Sequence, residues 1–261
     1  MIRRAGAVIA LSVAALSGCG LWRPVSVPMA SIREPANCAT RPDTLLVMLP
    51  GSFSRPEAFM REGFVTAVRE RRIAADIVLV DAHLGYYADK SVIERLRADI
   101  VEPARAQGYA QIWLVGISVG AFGAMIYSQA HPAGITGIVA LGPYLGQRRL
   151  TEQINAQGGL RRWRAPVGPL DPEDIDETLW RWLQPEGSLA AAAARPDLYL
   201  GYGLDDRFVF SDRLLADVLP PERVFTTDGG HDWAPWLALW QRMLDTMPLK
   251  RGDDCRGATA R

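Results

Sequence analysis

Six short apolar segments, separated by amphipathic stretches, constrain the fold of this chain more than any other feature. Each segment is apolar on both faces and is followed closely by Gly, Pro or Asp. Strands of this kind are typical of a parallel sheet that is covered by helices on both sides. The alternation therefore predicts an α/β fold with a doubly wound, mainly parallel sheet. The predicted strands cover residues 44–49, 77–80, 112–115, 135–141, 198–202 and 223–226.

The stretches between the strands have the spacing of amphipathic helices. Phe59, Phe64 and Val68, for example, fall on one side of a helix over residues 57–71. Ligands of such sheets bind at the carboxyl ends of the strands, so we expect functional residues in the loops that follow the strands. The predicted helices cover residues 57–71, 91–107, 119–130, 208–218 and 233–246.

One segment, residues 144–196, interrupts the alternation. It has no strand-like run, contains several arginines together with Trp180 and Trp182, and includes a predicted helix over residues 172–183. We interpret it as a helical cap insertion over the edge of the sheet where ligands bind; a peripheral helical hairpin is the alternative. The rest of residues 44–261 is predicted to form one α/β domain, because a chain of this length suffices for a single large core.

The first residues are typical of a signal peptide. Arg3 and Arg4 precede an apolar stretch, residues 7–16, which is too short to span a bilayer. The next residues, Leu-Ser-Gly-Cys ending at Cys19, resemble the lipobox of bacterial lipoproteins. The resemblance implies that residues 1–18 are removed and that Cys19 is lipidated, which anchors the chain to a membrane. An ordinary secretory signal is the alternative.

The residues after Cys19 predict where the chain is held. Gly20 is not the acidic residue that usually retains lipoproteins at the inner membrane, which favours the outer membrane, on its periplasmic side. Residues 19–43 contain several prolines and little periodicity, so we interpret them as a tether. Cys38 and Cys255 remain once Cys19 is lipidated, and in an oxidising compartment such a pair predicts a disulfide. Two unpaired thiols are the alternative.

A candidate nucleophile follows the strand at residues 112–115. The sequence Gly-Ile-Ser-Val-Gly, residues 116–120, places Ser118 between a buried strand and a helix. This context is typical of a nucleophile elbow, in which a tight turn exposes the serine hydroxyl. A structural turn serine is the alternative.

A serine nucleophile requires a base, and His231 is the best candidate among the three histidines. It lies in a glycine-flanked loop after the last predicted strand, whereas His131 lies at the far end of the helix that begins at Ser118. The imidazole in turn requires a carboxylate. The loop after the preceding strand offers two neighbours, Asp205 and Asp206.

These three motifs, in the order Ser, Asp, His, resemble the α/β-hydrolase superfamily over residues 45–244. The Gly-Gly-His-Asp-Trp segment around His231 is similar to the histidine loop of esterase D-like esterases. The superfamily's Gly-x-x-Asp turn selects Asp206 as the acid, with Asp205 as the alternative. The resemblance also implies an oxyanion hole formed by the N–H groups of Val119 and Ser52, although Pro50 replaces the histidine common at that place.

The function that the resemblance implies is a serine hydrolase that cleaves an ester-type acyl substrate through an acyl-enzyme. A serine peptidase or thioesterase on the same fold is one alternative, because the triad does not select the leaving group. A non-catalytic envelope lipoprotein is another.

Composition and spacing exclude other classes of partner. Lys and Arg together number 29, as do Asp and Glu, so the chain has no overall charge that would attract nucleic acid. The histidines lack metal-ligand spacing, and no dinucleotide or phosphate-binding motif is present, so we expect no metal and no cofactor. His83, two residues after Asp81, is predicted either to line a substrate pocket or to contact Asp81.

Overall fold

A seven-stranded sheet organises the part of the chain that the computed structural model describes, residues 23–165, 174–184 and 195–256. The strand order is β1-β3-β2-β4-β5-β6-β7. The six strands from β2 to β7 run parallel, which confirms the predicted doubly wound sheet. The strands are β1 (Ser31–Glu34), β2 (Thr44–Leu49), β3 (Ala75–Val80), β4 (Gln111–Ile117), β5 (Gly137–Leu141), β6 (Asp197–Gly203) and β7 (Val224–Thr227).

The antiparallel edge strand β1 lies within the segment predicted to be a tether. Ser31 pairs with Val80 and Glu34 pairs with Ile77 of β3. Met29 is buried, and its N–H donates to the Asp99 carboxylate over 2.8 Å. The prediction that residues 19–43 form a tether is therefore wrong for this stretch. A four-residue strand with alternating exposure at a sheet edge has too little apolar character to be recognised in the sequence.

Helices cover both faces of the sheet. The helix predicted over residues 57–71 is divided at Gly63, whose φ of 85° favours glycine. The helix predicted over residues 91–107 contains a π-helical turn, Leu96–Val101. The helices are α1 (Glu57–Arg61), α2 (Phe64–Glu70), α3 (Leu84–Ala88), α4 (Val92–Arg95), α5 (Glu102–Ala106), α6 (Val119–Ala130), α7 (Arg148–Ala156), α8 (Ile175–Leu183), α9 (Val209–Ala216) and α10 (Trp233–Thr246), with a 3₁₀ turn at Pro221–Arg223.

The strand β2 shows why its sequence is continuously apolar. Leu45, Val47 and Leu49 belong to one hydrophobic cluster, and Leu46 and Met48 belong to the cluster on the opposite face. Successive side chains of a strand point to opposite faces, so a strand covered on both sides must be apolar at every position.

The described parts of the cap insertion pack onto the domain. Helix α8 contacts α6, and its Trp180 is fully buried. The Trp180 indole N–H donates to the carbonyl of Leu145 over 2.8 Å. Helix α7 contacts α9. The remainder of the insertion, residues 166–173 and 185–194, lies outside the described residues.

The segment between β1 and β2 meets the segment after α10 at the amino edge of the sheet. A disulfide joins Cys38 to Cys255, which are separated by 217 residues. The Lys250 ammonium lies 2.6 Å from the Asp43 carboxylate, just before β2. Helices long and apolar enough to cross a bilayer do not occur among the described residues.

Candidate active site

Ser118 occupies a sharp turn between β4 and α6. Its φ of 55° and ψ of −117° are unusual for a residue with a side chain, and such conformations cost about 1–3 kcal/mol. The Ser118 N–H donates to the carbonyl of Leu141 over 2.9 Å, and the Ser118 carbonyl accepts from the Tyr144 N–H over 3.2 Å. The backbone at the end of β5 and in the loop that follows it therefore holds the serine in this conformation.

The two glycines that flank Ser118 allow this turn because other backbone passes very close to them. A Cβ on Gly116 would lie 2.4 Å from the backbone of Ala121, and one on Gly120 would lie 2.2 Å from the carbonyl oxygen of Leu49. These distances are too short for any side chain. The glycine spacing of the motif thus lets β4, α6 and the end of β2 approach one another around the serine.

The His231 imidazole is hydrogen-bonded to Asp206. The His231 Nδ1 lies 2.8 Å from Oδ2 and 3.0 Å from Oδ1 of Asp206, whose side chain is fully buried. An ionised carboxylate only accepts hydrogen bonds, so this contact fits the tautomer in which Nδ1 donates to Asp206 and Nε2 is left as the acceptor. The Phe208 N–H donates to Asp206 Oδ1 over 2.8 Å and orients the carboxylate. Asp205, the alternative acid, is exposed.

Two aromatic rings enclose the imidazole. The ring centroids of Phe208 and Trp236 lie 5.0 Å and 4.8 Å from that of His231, both nearly perpendicular to it. Edge-to-face packing of this kind limits rotation of the imidazole and excludes water from its surroundings. Only 8% of the His231 side chain is exposed.

The loop after β5 connects the serine to the His231–Asp206 pair. Its Tyr144 N–H donates to the Ser118 carbonyl. A Cβ on its first residue, Gly142, would lie 2.8 Å from Asp206 Oδ2 and 3.2 Å from His231 Nδ1. Ser118 and the His231–Asp206 pair therefore border the same short loop. The fold brings together three residues from distant parts of the sequence, after β4, β6 and β7 respectively.

The residues predicted for the oxyanion hole lie beside the serine. Val119 is the first residue of α6, and the first N–H groups of a helix have no acceptor within it. Ser52 lies in the turn after β2, next to Gly51, whose added Cβ would lie 3.6 Å from the Ser118 Cβ.

A cavity of about 350 Å³ opens next to this site. Phe208, which contacts His231, forms part of its wall, and residues of the cap insertion form another part. This cavity could accept part of a small substrate. Its lining residues are Tyr144, Gly146, Gln147, Arg148, Thr151, Arg207, Phe208, Phe210 and Ser211.

Comparison with known proteins identifies the fold. No protein-family model matches the chain, and none of the curated proteins matches it. Among solved structures, S-formylglutathione hydrolase of Staphylococcus aureus matches with a TM-score of 0.54 at 14% identity, over 86% of this chain and 97% of that one. A fluorophosphonate-binding serine hydrolase of Staphylococcus aureus matches with a TM-score of 0.50 at 16% identity, over 84% of this chain and 98% of that one. A ferulic acid esterase matches with a TM-score of 0.51 at 15% identity, over 83% of this chain and 96% of that one.

These matches cover most of each chain, and together with the sheet order they decide the architecture. The chain has the α/β-hydrolase fold. The predicted fold class is therefore confirmed. In this α/β-hydrolase fold Ser118, Asp206 and His231 all follow carboxyl ends of parallel strands, where ligands of open α/β sheets bind.

Asp212 of α9 is a residue of the site region that sequence reasoning missed. It is completely buried, and neither of its carboxylate oxygens has a hydrogen-bond partner. Burial, and secondarily the charge of Asp206, raises the pKa of the Asp212 carboxyl well above its usual range. Asp212 therefore lies close enough to Asp206 for the two charges to interact. No motif marks it, because a single aspartate in a predicted amphipathic helix is expected on the solvent face.

His83 does not contact Asp81 through its ring. The His83 Nδ1 accepts from the Gly85 N–H over 3.1 Å and caps α3. Asp81 instead binds Arg23, whose two terminal nitrogens lie 2.7 Å from its two oxygens. Burial first, and then the charge of Arg23, lowers the pKa of His83. His83 thus has a structural role in this arrangement.

Potential metal ligands come together at one place in the described chain, at Cys38, Asp254 and Cys255, where the disulfide occupies both sulfur atoms. Cys19, the predicted lipidation site, lies outside the described residues.

Proposed function

We propose that this protein is a serine hydrolase that cleaves an ester-type acyl substrate, with Ser118 as nucleophile, His231 as base and Asp206 as the supporting acid. The observation that carries the proposal is the hydrogen bond from His231 Nδ1 to buried Asp206 beside a serine in a strained turn. The names of the matching solved structures, which include a hydrolase and an esterase, support the same class of reaction.

In the proposed reaction, His231 Nε2 accepts the hydroxyl proton while Ser118 Oγ bonds to the substrate carbonyl carbon. The carbonyl oxygen becomes an oxyanion that accepts hydrogen bonds from the N–H groups of Val119 and Ser52. The intermediate then expels the alcohol, which takes the proton from His231. Water, deprotonated by His231, attacks the acyl-enzyme. The bond from the acyl carbon to Ser118 Oγ then breaks, Oγ takes the proton back from His231, and the acid is released.

Asp206 has two roles in this scheme. It fixes the tautomer in which Nε2 is free, and its negative charge stabilises the imidazolium that forms in each step. Phe208 and Trp236 keep the imidazole in place and shield the ion pair from water, so the electrostatic interaction between the two side chains is strengthened.

We further propose that Cys19 is lipidated and holds the enzyme at the cell envelope, in the outer membrane facing the periplasm. The lipobox-like sequence before Cys19 supports this proposal. Incorporation of labelled palmitate into the wild-type chain, and its loss in Cys19→Ala, would test it.

Labelling with a fluorophosphonate probe tests the nucleophile. We expect the probe to modify Ser118, as shown by peptide mass mapping, and we expect no labelling of Ser118→Ala. Ser128→Ala is the matched control. Ser128 lies in α6, the helix that begins directly after Ser118, but its hydroxyl is buried and donates to the Ala124 carbonyl. Labelling that is equal in Ser118→Ala and wild type would refute the assignment. A panel of ester, thioester and aminoacyl substrates would then define the leaving group.

A further inference from the structure

The described chain begins at the same edge of the sheet as the candidate active site. Arg23 binds both carboxylate oxygens of Asp81 at 2.7 Å, and Asp81 directly follows the carboxyl end of β3. Three residues later, the Ser26 N–H donates to the Tyr86 hydroxyl oxygen over 3.0 Å, and that hydroxyl donates to the Ser26 carbonyl over 3.0 Å. These contacts fix the start of the domain to its carboxyl edge.

Covalent geometry limits the distance from this point to the predicted lipid anchor. Cys19 precedes Arg23 by four residues, and a fully extended chain spans at most about 3.6 Å per residue, or about 14 Å in all. Only β2 separates β3 from β4, so the strand that leads to Ser118 lies roughly 10 Å from the strand that leads to Asp81. A lipid on Cys19 would therefore keep the carboxyl edge close to the membrane, whatever the conformation of the intervening residues.

The same edge carries exposed apolar side chains. Phe53, in the turn after β2, is 79% exposed, and Leu204, directly after β6, is 42% exposed. Val27 is 72% exposed and precedes β1. Because β1 is antiparallel to β3 and begins opposite the carboxyl end of β3, the segment before β1 also lies at this edge. Within the described part of the chain, the segments that lead into the amino ends of the parallel strands contain no exposed large apolar side chain. The full set is Val25, Val27, Phe53, Met60, Leu204 and Phe210.

We propose that the carboxyl edge of the sheet is the membrane-facing surface of this protein, with the bilayer interface as its partner. This rests on the proposed lipidation of Cys19 and the proposed role of Ser118. The anchor fixes one point near Asp81, and insertion of Phe53 and Leu204 into the interface fixes the orientation, because apolar side chains are stabilised at the headgroup boundary. The Ser118 site then opens toward the bilayer and receives acyl esters that partition into it.

Fluorescence depth measurements on the full-length lipidated protein test this orientation. Because Cys19 is lipidated and the other two cysteines form the disulfide, an introduced cysteine is the only free thiol for a nitrobenzoxadiazole label. The labelled variants are Leu204→Cys and Phe53→Cys, with Ala110→Cys as the control. Ala110 is exposed and directly precedes the amino end of β4. Each variant is reconstituted in phosphatidylethanolamine–phosphatidylglycerol vesicles that carry nitroxide-labelled lipids.

We expect the nitroxide lipids to quench the labels at positions 204 and 53 at least about twofold more strongly than the label at position 110, because only inserted labels contact lipid. Leu204 is the more informative of the two positions because it lies far from the anchored start of the described chain. It follows β6, which is three strands away from β2 and four strands away from β3. Equal quenching at all three positions would overturn the proposal. A blue-shifted emission at positions 204 and 53 without quenching would also overturn it, since this indicates burial against protein.

Two measurements on the wild-type preparation separate this inference from the proposed function. If palmitate is incorporated at Cys19 and the fluorophosphonate probe labels Ser118, absence of quenching refutes the orientation alone. If palmitate is not incorporated, the anchor is refuted and the orientation with it. If only the probe fails, the proposed nucleophile is refuted, and quenching would still establish which edge faces the membrane.

Discussion

At the amino edge of the sheet a disulfide and polar contacts join segments that are distant in the sequence, whereas at the carboxyl edge strained and unpaired groups lie around the His231–Asp206 pair. Lys250 pairs with Asp43, the Tyr109 hydroxyl donates to Asp76 over 2.6 Å, and a disulfide links Cys38 to Cys255. These contacts hold the segments before β2 and after α10 together and join the segment before β4 to the start of β3.

The carboxyl edge contains a serine with positive φ, a buried Asp212 without hydrogen-bond partners and the unpaired indole N–H of Trp236. Strained and unpaired groups persist only where the surrounding structure holds them, and they are concentrated at functional sites. The amino edge has such groups as well, since Arg72 has a φ of 51° and the buried Oε1 of Gln111 has no hydrogen-bond partner. The difference is that those of the carboxyl edge lie around the His231–Asp206 pair, whereas the disulfide is at the amino edge. Substitutions at one edge should therefore change different quantities from substitutions at the other.

The largest expected effect at the carboxyl edge comes from the acid. Asp206→Asn would leave an amide beside His231 that favours the wrong tautomer, so we expect ester turnover to fall about 10⁴-fold with the fold intact. Asp205→Asn is the matched control. Asp205 is exposed, so its substitution should change turnover by no more than about twofold. The reverse ranking would make Asp205 the functional acid.

Removal of the disulfide tests the amino edge. We expect the double substitution of Cys38 and Cys255 by serine to lower the free energy of unfolding by about 2–5 kcal/mol, because the bridge closes a very long loop. Urea unfolding measures this change. Turnover at a temperature where both forms are folded should stay the same. A loss of turnover in the folded variant would contradict this, because it would show that the amino edge also affects the candidate active site.

A pair of glycines compares the two edges directly. Gly120→Ala would place a Cβ 2.2 Å from the Leu49 carbonyl oxygen, whereas Gly108→Ala, before β4, would meet nothing within 4 Å but has a φ of 89°. We expect a loss of about 1 kcal/mol for Gly108→Ala from its backbone conformation, and of about 3 kcal/mol or more for Gly120→Ala from overpacking. Thermal unfolding followed by circular dichroism distinguishes these values. Equal losses would contradict the close approach at the elbow.

The smallest expected effect is a pH dependence that originates at Asp212. The pKa of Asp212 is raised in the folded state. At pH values above the pKa that Asp212 has in the unfolded chain, the folded protein therefore binds more protons than the unfolded protein. The contribution of Asp212 to the free energy of unfolding consequently falls as the pH rises. Asp212→Asn removes that contribution. The stability of the variant relative to wild type should therefore increase from pH 4 to pH 7, and each kcal/mol corresponds to about 2–4 °C in melting temperature. A constant difference would show that folding does not raise the pKa of Asp212.

Much of this fold could be predicted because its strands are buried on both faces. Leu45–Leu49, for example, is continuously apolar, and the predicted bounds of this strand, residues 44–49, agree with those of β2. Edge strand β1 could not be predicted, since four half-exposed residues carry no such pattern. The break at Gly63 and the π-helical turn at Leu96–Val101 depend on packing against the sheet rather than on local periodicity.

For the site, the order of Ser118 and His231 along the chain could be recognised from short motifs. The choice between Asp205 and Asp206 depends on a one-residue offset in a turn, which the sequence leaves open and the contact of Asp206 with His231 distinguishes. The aromatic enclosure by Phe208 and Trp236 was not predicted, because it requires loops after β6 and β7 to meet in space.

The measurement that tests the central claim most directly is a kinetic cycle on Ser118 and His231. Turnover of one ester is compared among wild type, Ser118→Ala, His231→Ala and the double variant, all confirmed as folded. If the two residues act as one unit, each single variant should lose about 10⁴-fold or more, and the double variant should be no slower than the single ones. Losses that multiply in the double variant would contradict the account, because they would show that Ser118 and His231 act independently.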